Sequence, residues 1–136
     1  MIEITKQTID IKRAVESVFS PDAGGIDVFV GTVRNLTQNK PVERLEFESY
    51  EKMAIAEMKK IEQAARKQWP VLKITMIHRI GSLQVGEIPV IIAVSTAHRK
   101  DAFEACKYII DTLKEKVPIW KKEVFEDGEV WVNAHP

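Results

Sequence analysis

The first part of the chain combines alternating apolar residues with one stretch at helical spacing. A short first strand is predicted around Ile2. A helix is predicted from Ile11 to Phe19 with Asp10 as its N-cap. The sequence from Ser20 to Gly25 breaks the chain, and the β-branched residues from Ile26 to Val33 predict a second strand. The expected inward face of the helix consists of Ile11, Val15, Val18 and Phe19.

The middle of the chain continues with a loop, a strand and a long helix. Asn35 to Pro41 is polar and predicts a mobile loop. From Arg44 to Tyr50, the apolar residues Leu45 and Phe47 alternate with charged ones, which is typical of a half-buried antiparallel strand. Glu51 to Trp69 is predicted to be a helix that a proline ends. Its expected inward residues are Ala54, Met58, Ile61 and Ala65.

The last part of the chain contains the most apolar strand and a third helix. Alternation from Leu72 to His78 predicts a strand, and Val90 to Val94 is apolar on both faces, which is typical of a central strand covered on both sides. A helix is predicted from His98 to Lys116. Two strands, Lys121 to Phe125 and Glu129 to Val132, flank an Asp-Gly pair, a strong hairpin signal. The expected inward residues of the helix are Phe103, Cys106, Ile109, Ile110 and Leu113.

The predicted order is strand, helix, two strands, helix, two strands, helix and two strands. Helices interleaved with paired strands indicate an α+β fold, in which an antiparallel or mixed sheet packs with three main helices in two layers. A doubly wound parallel sheet is not expected. No repeat or linker divides the sequence, so residues 1–136 are expected to form one domain.

The overall composition narrows the class of function. Apolar residues make up 45% of the chain, and 20 Lys and Arg residues balance 20 Asp and Glu residues. The chain therefore has no global positive field of the kind that attracts nucleic acid. The single cysteine, Cys106, excludes an internal disulfide and fits a reducing compartment. Because the sequence has no signal-peptide core and no run of about eighteen apolar residues, we expect a cytoplasmic protein without membrane attachment.

Two lysines near the C-terminus are separated by a predicted break in the chain. Lys114 is on the third helix and Lys121 follows it, with Pro118 between them. Pro118 lacks an N–H group and disfavours the helical conformation at Val117, so the helix is expected to stop there. The chain can then turn back and bring the two amines together, where they could bind an anion or move protons.

Other positive residues are predicted at the ends of strands and helices. Arg34 closes the second strand, and His98-Arg99 stands where the most buried strand leads into the third helix. A guanidinium beside the free N–H groups of a helix start is suited to a phosphate or carboxylate. Each residue also has an ordinary explanation, since Lys114 is favourable at a helix C-terminus and Lys121 is typical of a solvated surface. From the residues alone, both interpretations stay open.

Metal binding and cysteine chemistry receive little support from the residues. His78-Arg79 and His98-Arg99 are isolated pairs without nearby cysteine ligands, which is a weak metal signal. No metal and no other cofactor is predicted. His78 follows the apolar alternation of its strand and is predicted to be a hydrogen-bonded core residue. Cys106 lies in phase with an apolar helix face, where a thiol has a raised pKa and is inert.

Five separated motifs occur in an order and spacing that are specific to one known family. They are Gly31-Thr32-Val33-Arg34, Glu48-Ser49-Tyr50 with Met53-Ala54, Ile77-His78-Arg79-Ile80-Gly81, Ala97-His98-Arg99 with Ala102-Phe103, and Leu113-Lys114 with Pro118-Ile119-Trp120-Lys121-Lys122-Glu123. From about Gly24 to Val132, the chain resembles the large, catalytic subunit of molybdopterin synthase.

The resemblance implies a sulfurtransferase with a hammerhead-like α+β fold. In that family the large subunit is a homodimer within a heterotetramer, with a small ubiquitin-like subunit at each end. The C-terminal Gly-Gly of the small subunit carries a thiocarboxylate into a pocket of the large subunit. Sulfur then passes twice to cyclic pyranopterin monophosphate and forms the dithiolene of molybdopterin, in molybdenum cofactor biosynthesis. This chain ends in His135-Pro136 rather than Gly-Gly, so we expect the sulfur carrier to be a separate protein.

The resemblance also implies a set of site residues. Lys114 and Lys121 are the expected catalytic residues, which stabilise an oxyanion or move protons; Lys114 is favoured, with Lys121 in support. A lysine exchanges protons near neutral pH only if burial or neighbouring cations lower its pKa. The expected substrate-binding residues are Thr32, Val33, Arg34, His98, Arg99, Lys114, Lys121, Lys122 and Glu123.

A second class of function fits the same scaffold. A non-catalytic regulatory module that binds a small anionic ligand would use the same convergent cations. It would show ligand binding without turnover and would need no carrier protein. A pull-down distinguishes the two hypotheses, because only the synthase requires a small partner that ends in Gly-Gly.

Overall fold

The computed structural model describes residues 1–132, which form nine strands and three helices. The expectation that the sulfur carrier is a separate protein was based on His135-Pro136, and these residues lie outside the described range. The strands are β1 (Ile2–Thr5), β2 (Gly25–Gly31), β3 (Leu36–Thr37), β4 (Lys40–Ser49), β5 (Val71–Arg79), β6 (Gly81–Gln84), β7 (Val90–Thr96), β8 (Ile119–Phe125) and β9 (Gly128–Val132). The helices are α1 (Ile11–Glu16), α2 (Glu51–Gln68) and α3 (Arg99–Lys116).

The strands form two sheets. One sheet has the order β1-β5-β7-β2, with β1 parallel to β5 and the other neighbours antiparallel. In the second sheet β4 pairs with β8 and β8 with β9, while the short strands β3 and β6 pair with β4. The predicted α+β fold with mixed and antiparallel strands and three helices is confirmed.

Strand β7 is the most buried strand, as its apolar sequence predicts. Every residue from Val90 to Thr96 is buried. Ile92 and Val94 belong to the main core, to which α2 and α3 contribute. Ile91 belongs to a smaller cluster on the opposite face, to which α1 contributes Ala14. Because successive strand residues point to opposite faces, helices cover β7 on both sides.

The predicted inward faces of the helices are partly correct. The four residues predicted for α2 are all buried. For the first predicted helix, Val18 is fully buried as expected, but the prediction is wrong for Ile11 and Phe19, which are exposed. Ala14, which was not predicted to face inward, is fully buried. The helix ends at Glu16, so helical spacing does not extend to Phe19.

Helix α3 also departs from its predicted face at one residue. Phe103 is 56% exposed, while the other four predicted residues are buried. The start of α3 packs close to β2, where a Cβ atom added to Gly25 would lie 3.0 Å from the Cα atom of Arg99. Glycine at position 25 permits this approach, and the first buried residues of α3 are Ala102 and Ala105.

Two short strands are absent from the sequence prediction. The segment from Asn35 to Pro41, predicted as a loop, contains β3 and the tight turn into β4. Gln38 and Asn39 have φ angles of 50° and 65°, and two consecutive left-handed residues are the geometry of a two-residue hairpin turn. Strand β6 is only four residues long and starts at Gly81, so it has too little alternation to be recognised.

Candidate active site

The end of α3 turns the chain back into β8, as the sequence around Pro118 predicts. Val117 has φ −82° and ψ 128°, the extended conformation expected before proline. Its N–H donates to the carbonyl of Leu113 at 3.0 Å, and the N–H of Ile119 donates to the carbonyl of Val117 at 2.8 Å. This tight reversal places the last turn of α3, which carries Lys114, beside β8.

Lys114 and Lys121 line the same cavity, which has a volume of about 610 Å³. This is within the usual range for a small-molecule site. Its walls come from both sheets and from α3. The lining residues are Phe29, Val30, Gly31, Thr32, Arg34, Thr37, Leu45, Phe47, His78, Pro89, Val90, Ile110, Leu113, Lys114, Val117, Ile119, Lys121 and Glu123.

The cavity gathers five of the nine residues expected for the site. They are Thr32, Arg34, Lys114, Lys121 and Glu123. The positive groups come from the segment after β2, from α3 and from β8, so three distant parts of the sequence supply charge to one space. The residues that do not line the cavity are Val33, His98, Arg99 and Lys122.

Alternation along β8 determines which of its charged residues reach the cavity. Lys121 pairs with Phe47 across the β4–β8 ladder, and Glu123 pairs with Leu45; all four side chains line the cavity. Lys122 points to the other face, because neighbouring strand residues face opposite ways. There its Nζ lies 2.9 Å from Oε2 of Glu46, and its charge stabilises the outside of the sheet.

Burial and neighbouring charges together set the pKa of the Lys121 amine. Burial lowers the pKa of Lys121, the carboxylate of Glu123 raises it, and the cations Lys114 and Arg34 lower it further. Burial is the largest effect, and the net pKa lies below the usual value for lysine. Neighbouring cations and burial are the conditions under which a lysine can exchange protons closer to neutral pH.

Glu123 is a buried carboxylate inside this positive cluster. Its side chain is only 8% exposed. Within residues 1–132, its Oε2 atom has no hydrogen-bond partner. A buried acceptor without a partner is costly in free energy, so this oxygen is available to a donor that enters the cavity.

Val33 anchors the segment that carries Thr32 and Arg34. It is 2% exposed, and its N–H donates to the carbonyl of Glu87 at 3.0 Å, while its carbonyl accepts from the N–H of Gly86 at 2.9 Å. The side chain of Glu87 is in turn held by Arg79 at 2.6 Å. The β6–β7 turn therefore holds Val33, and its two neighbours reach the cavity.

His98 and Arg99 lie at the opposite end of α3 from the cavity. Both are exposed at the start of the helix. At a rise of ~1.5 Å per residue, Arg99 lies about 22 Å from Lys114 along the helix axis. These two residues do not belong to the cavity that their own chain forms.

His78 is a cavity residue to which the sequence assigned only a place in the core. The core prediction is confirmed, since the side chain is 5% exposed and its Nδ1 lies 2.8 Å from the carbonyl oxygen of Arg79. Burial lowers the pKa of His78 to about 4. The ring also lines the cavity, and alternation alone does not distinguish a core residue from a cavity wall.

The predicted inertness of Cys106 agrees with its surroundings. The residue is 2% exposed, and burial, with a further contribution from Asp27, raises the pKa of its thiol to about 12. Among residues 1–132, no group of three or more His, Cys, Asp and Glu side chains is placed to hold a metal ion. None of the helices in this range has the length and apolar character needed to cross a membrane.

Comparison with known proteins identifies the family. Residues 4–116 match the family model described as MoaE protein. The chain belongs to the MoaE family. The family resemblance inferred from the five motifs is confirmed.

Relatives and solved structures agree with this assignment. The molybdopterin synthase catalytic subunit of Halalkalibacterium halodurans is 46% identical over 130 residues, which cover 96% of this chain and 83% of the relative. The protein of the same name from Bacillus subtilis is 45% identical over 131 residues, with the same coverage of both chains. The X-ray crystal structure of molybdopterin synthase from Staphylococcus aureus matches with a TM-score of 0.92 and 41% identity, over 96% of this chain and 95% of that one.

Proposed function

We propose that the chain is the catalytic subunit of a molybdopterin synthase, a sulfurtransferase of molybdenum cofactor biosynthesis. The observation that carries this proposal is the convergence of Arg34, Lys114 and Lys121 on one largely apolar cavity in a member of the MoaE family. Both reactants are anionic, since cyclic pyranopterin monophosphate carries a phosphate and the sulfur donor carries a thiocarboxylate. Cations attract such groups more strongly at a partly buried site than in bulk water.

Lys121 and Lys114 are the proposed catalytic residues, with different environments. Lys121 is half-buried and its pKa is lowered, so it is suited to give or accept a proton during sulfur transfer. Lys114 is exposed at the rim of the cavity, so it is suited to stabilise the oxyanion that forms when the thiocarboxylate reacts. The sequence favoured Lys114 as the catalytic residue with Lys121 in support, and left open which of them moves protons and which stabilises the oxyanion; this proposal gives the proton-transfer role to Lys121.

The other cavity residues have proposed roles in binding. Arg34 and Thr32 offer hydrogen-bond donors to the phosphate. The carboxylate of Glu123 offsets the positive charge of the cations and favours the charged form of Lys121. Val33 and Lys122 act indirectly. Val33 fixes the backbone beside Arg34 through its hydrogen bonds to the β6–β7 turn. Lys122 stabilises β8 through ion pairs on the outer face of the sheet.

The proposed assembly is a homodimer that binds two small ubiquitin-like carriers, each ending in a Gly-Gly thiocarboxylate. The carrier supplies the sulfur, so this chain needs no reactive cysteine of its own. His98 and Arg99 lie outside the cavity of their own chain, and we propose that they act in the cavity of the second copy. The location in the cytoplasm stays a prediction from the sequence.

Residues 1–136 are proposed to act as one domain. Both sheets and helices α2 and α3 contribute to a single main core, which includes Phe47 from β4 and Ile92 from β7. The cavity is also shared, because the two sheets each supply part of its wall. Separating the sheets would therefore divide both the core and the site.

The test is reconstitution of the reaction. The purified chain is mixed with a thiocarboxylated small subunit and cyclic pyranopterin monophosphate, and the dithiolene product is measured. Product formation by the wild type is expected, and its absence with a competent carrier would contradict the proposed function. If Lys114→Ala forms product at the wild-type rate, the catalytic assignment of Lys114 is wrong. Ligand binding without turnover would instead support the regulatory module.

A further inference from the structure

His78 has one ring nitrogen committed to the backbone. Its Nδ1 lies 2.8 Å from the carbonyl oxygen of Arg79. A carbonyl oxygen can only accept a hydrogen bond, so Nδ1 must carry the proton that it donates. In the neutral imidazole the other nitrogen, Nε2, then has a free lone pair and acts as an acceptor. Because burial lowers the pKa of His78 to about 4, the ring is neutral at physiological pH.

Strand pairing places His78 beside other residues that line the cavity. Across the four-stranded sheet, His78 pairs with Val90 and Val90 pairs with Gly31; all three line the cavity. From the second sheet, the ring of Phe47 meets the imidazole edge-on, with centroids 5.3 Å apart. The ring orientation is therefore constrained by a hydrogen bond, an aromatic contact and a packed strand.

The second nitrogen of the ring has no assigned use within the protein. Among residues 1–132, the carbonyl of Arg79 is the hydrogen-bond partner that the structure records for the imidazole. The space that His78 borders is the cavity.

We propose that His78 is a specificity-determining residue whose Nε2 accepts a hydrogen bond from an N–H group of the ligand in the cavity. This inference rests on the proposed function and adds an orientation to it. A neutral acceptor repels phosphate and thiocarboxylate oxygens, so the anionic groups lie against Arg34, Lys114 and Lys121. The N–H-bearing part of the ligand then lies against His78. A pterin ring system and the backbone of a Gly-Gly tail both carry such N–H groups.

Two substitutions separate this role from a structural one. His78→Asn keeps a donor near the Nδ1 position, which can still bond to the carbonyl of Arg79, but it has no acceptor at the Nε2 position. His78→Gln places its amide at the Nε2 position and can present an oxygen there, but it loses the Nδ1 donor. A structural role therefore predicts that Asn is the better replacement, whereas a ligand-binding role predicts that Gln is.

The experiment measures the binding of two probes to the full-length chain. One probe is cyclic pyranopterin monophosphate without the carrier, and the other is the small subunit with an unmodified Gly-Gly end and no pterin. We expect His78→Asn to weaken binding of one probe by about tenfold or more, because an N–H group buried without an acceptor loses about that much affinity. His78→Gln is expected to stay within about threefold of wild type. The affected probe identifies the source of the N–H group.

Three controls keep the outcome interpretable. Ile77→Val lies on the opposite face of β5, outside the cavity, and should leave both affinities unchanged, so it controls for a mild disturbance of the strand. Melting temperatures of all variants show whether a loss of binding follows a loss of folding. Nitrogen-15 NMR of the wild type, which requires no substitution, should show an unprotonated Nε2 whose shift changes when the affected probe binds.

The inference is overturned if His78→Asn binds both probes like the wild type, or if His78→Gln loses as much affinity as His78→Asn. A protonated Nε2 in the free protein would overturn it as well. The wild type's formation of dithiolene product is measured separately. A wild type that makes product while His78→Asn binds both probes normally would leave the proposed function intact and remove only the role of His78.

Discussion

Lys121 and Glu123 project from the same face of β8 into one cavity. The carboxylate of Glu123 raises the pKa of Lys121, while burial and the cations Lys114 and Arg34 lower it. The charge state of the lysine therefore depends first on its burial and then on a balance between one carboxylate and two cations. A change in any of these residues should alter the chemistry of Lys121.

Removal of the Lys121 amine should abolish most of the activity. Lys121→Ala is expected to lower the rate of dithiolene formation by about 10²–10⁴-fold, the usual contribution of a positioned proton-transfer group. Lys121→Arg keeps the positive charge but does not deprotonate in proteins, so it should retain substrate binding and still lose the rate. Full activity of Lys121→Arg would show that the residue provides charge alone.

Neutralisation of Glu123 should shift the pH dependence of the reaction. In Glu123→Gln the carboxylate that raises the pKa of Lys121 is lost, so the pKa of Lys121 falls further. Whichever limb of the pH–rate profile reports Lys121, that limb should move to lower pH. Rate profiles of the wild type and Glu123→Gln, recorded in the same buffers, test this; a limb that moves to higher pH or does not move contradicts it.

Lys122 should behave differently from its neighbour. Its contacts with Glu46 and Glu129 lie on the outer face of the sheet, and its Nζ lies 5.2 Å from the centre of the Trp131 ring. Lys122→Ala is expected to lower the melting temperature and to leave the rate per folded molecule close to that of wild type. It therefore serves as the matched control for Lys121→Ala, and a rate loss as large as that of Lys121→Ala would place Lys122 in the chemistry.

His78 should make the fold sensitive to mild acid. Its folded pKa of about 4 lies below the ordinary value of 6.5, so the unfolded state binds more protons between these values. The contribution of His78 to the free energy of unfolding is therefore complete above about pH 6.5. It is lost as the pH falls toward 4, by about 3 kcal/mol in total. Denaturant unfolding of wild type and His78→Gln between pH 7.5 and pH 4 measures the effect.

The comparison removes the contribution of the carboxylates, which both proteins share. The difference in unfolding free energy between the two proteins should shrink or change sign as the pH falls. A difference that stays constant over this range would show that His78 is not held neutral by burial.

The side chain of Val90 occupies the space that a side chain at position 31 would need, so we expect glycine to be required there. A Cβ atom at Gly31 would lie 2.7 Å from Cγ1 of Val90, and both residues line the cavity. Gly31→Ala is expected to cost about 1–3 kcal/mol of stability through overpacking and to weaken substrate binding. The double variant Gly31→Ala with Val90→Ala should lose less than the sum of the single changes. Strict additivity in denaturant unfolding would show that the two residues do not compete for the same space.

Much of the fold follows from local patterns in the sequence. The burial of α2 follows from its helical spacing, the central position of β7 from its unbroken apolar run, and the turn at Val117 from the chemistry of Pro118. These features depend on neighbours in the chain. The exposure of Phe103 was not predictable in this way, because distant segments that pack against α3 decide which of its residues are covered. The hairpin at β3 was missed because the strand has only two residues and its turn, Gln38-Asn39, contains no glycine.

The sequence by itself determined the class of fold, the family and the two lysines that flank Pro118. Only the tertiary structure decided which charged residues share a cavity. Arg34 follows β2 of one sheet and Lys121 lies on β8 of the other, so they meet only because the two sheets and α3 pack around one cavity. Alternation along β8 turns Lys122 away from it. The same packing made His78 part of both the core and the cavity wall. Local patterns report which side of an element is apolar, whereas a cavity exists only where several elements fail to close against one another.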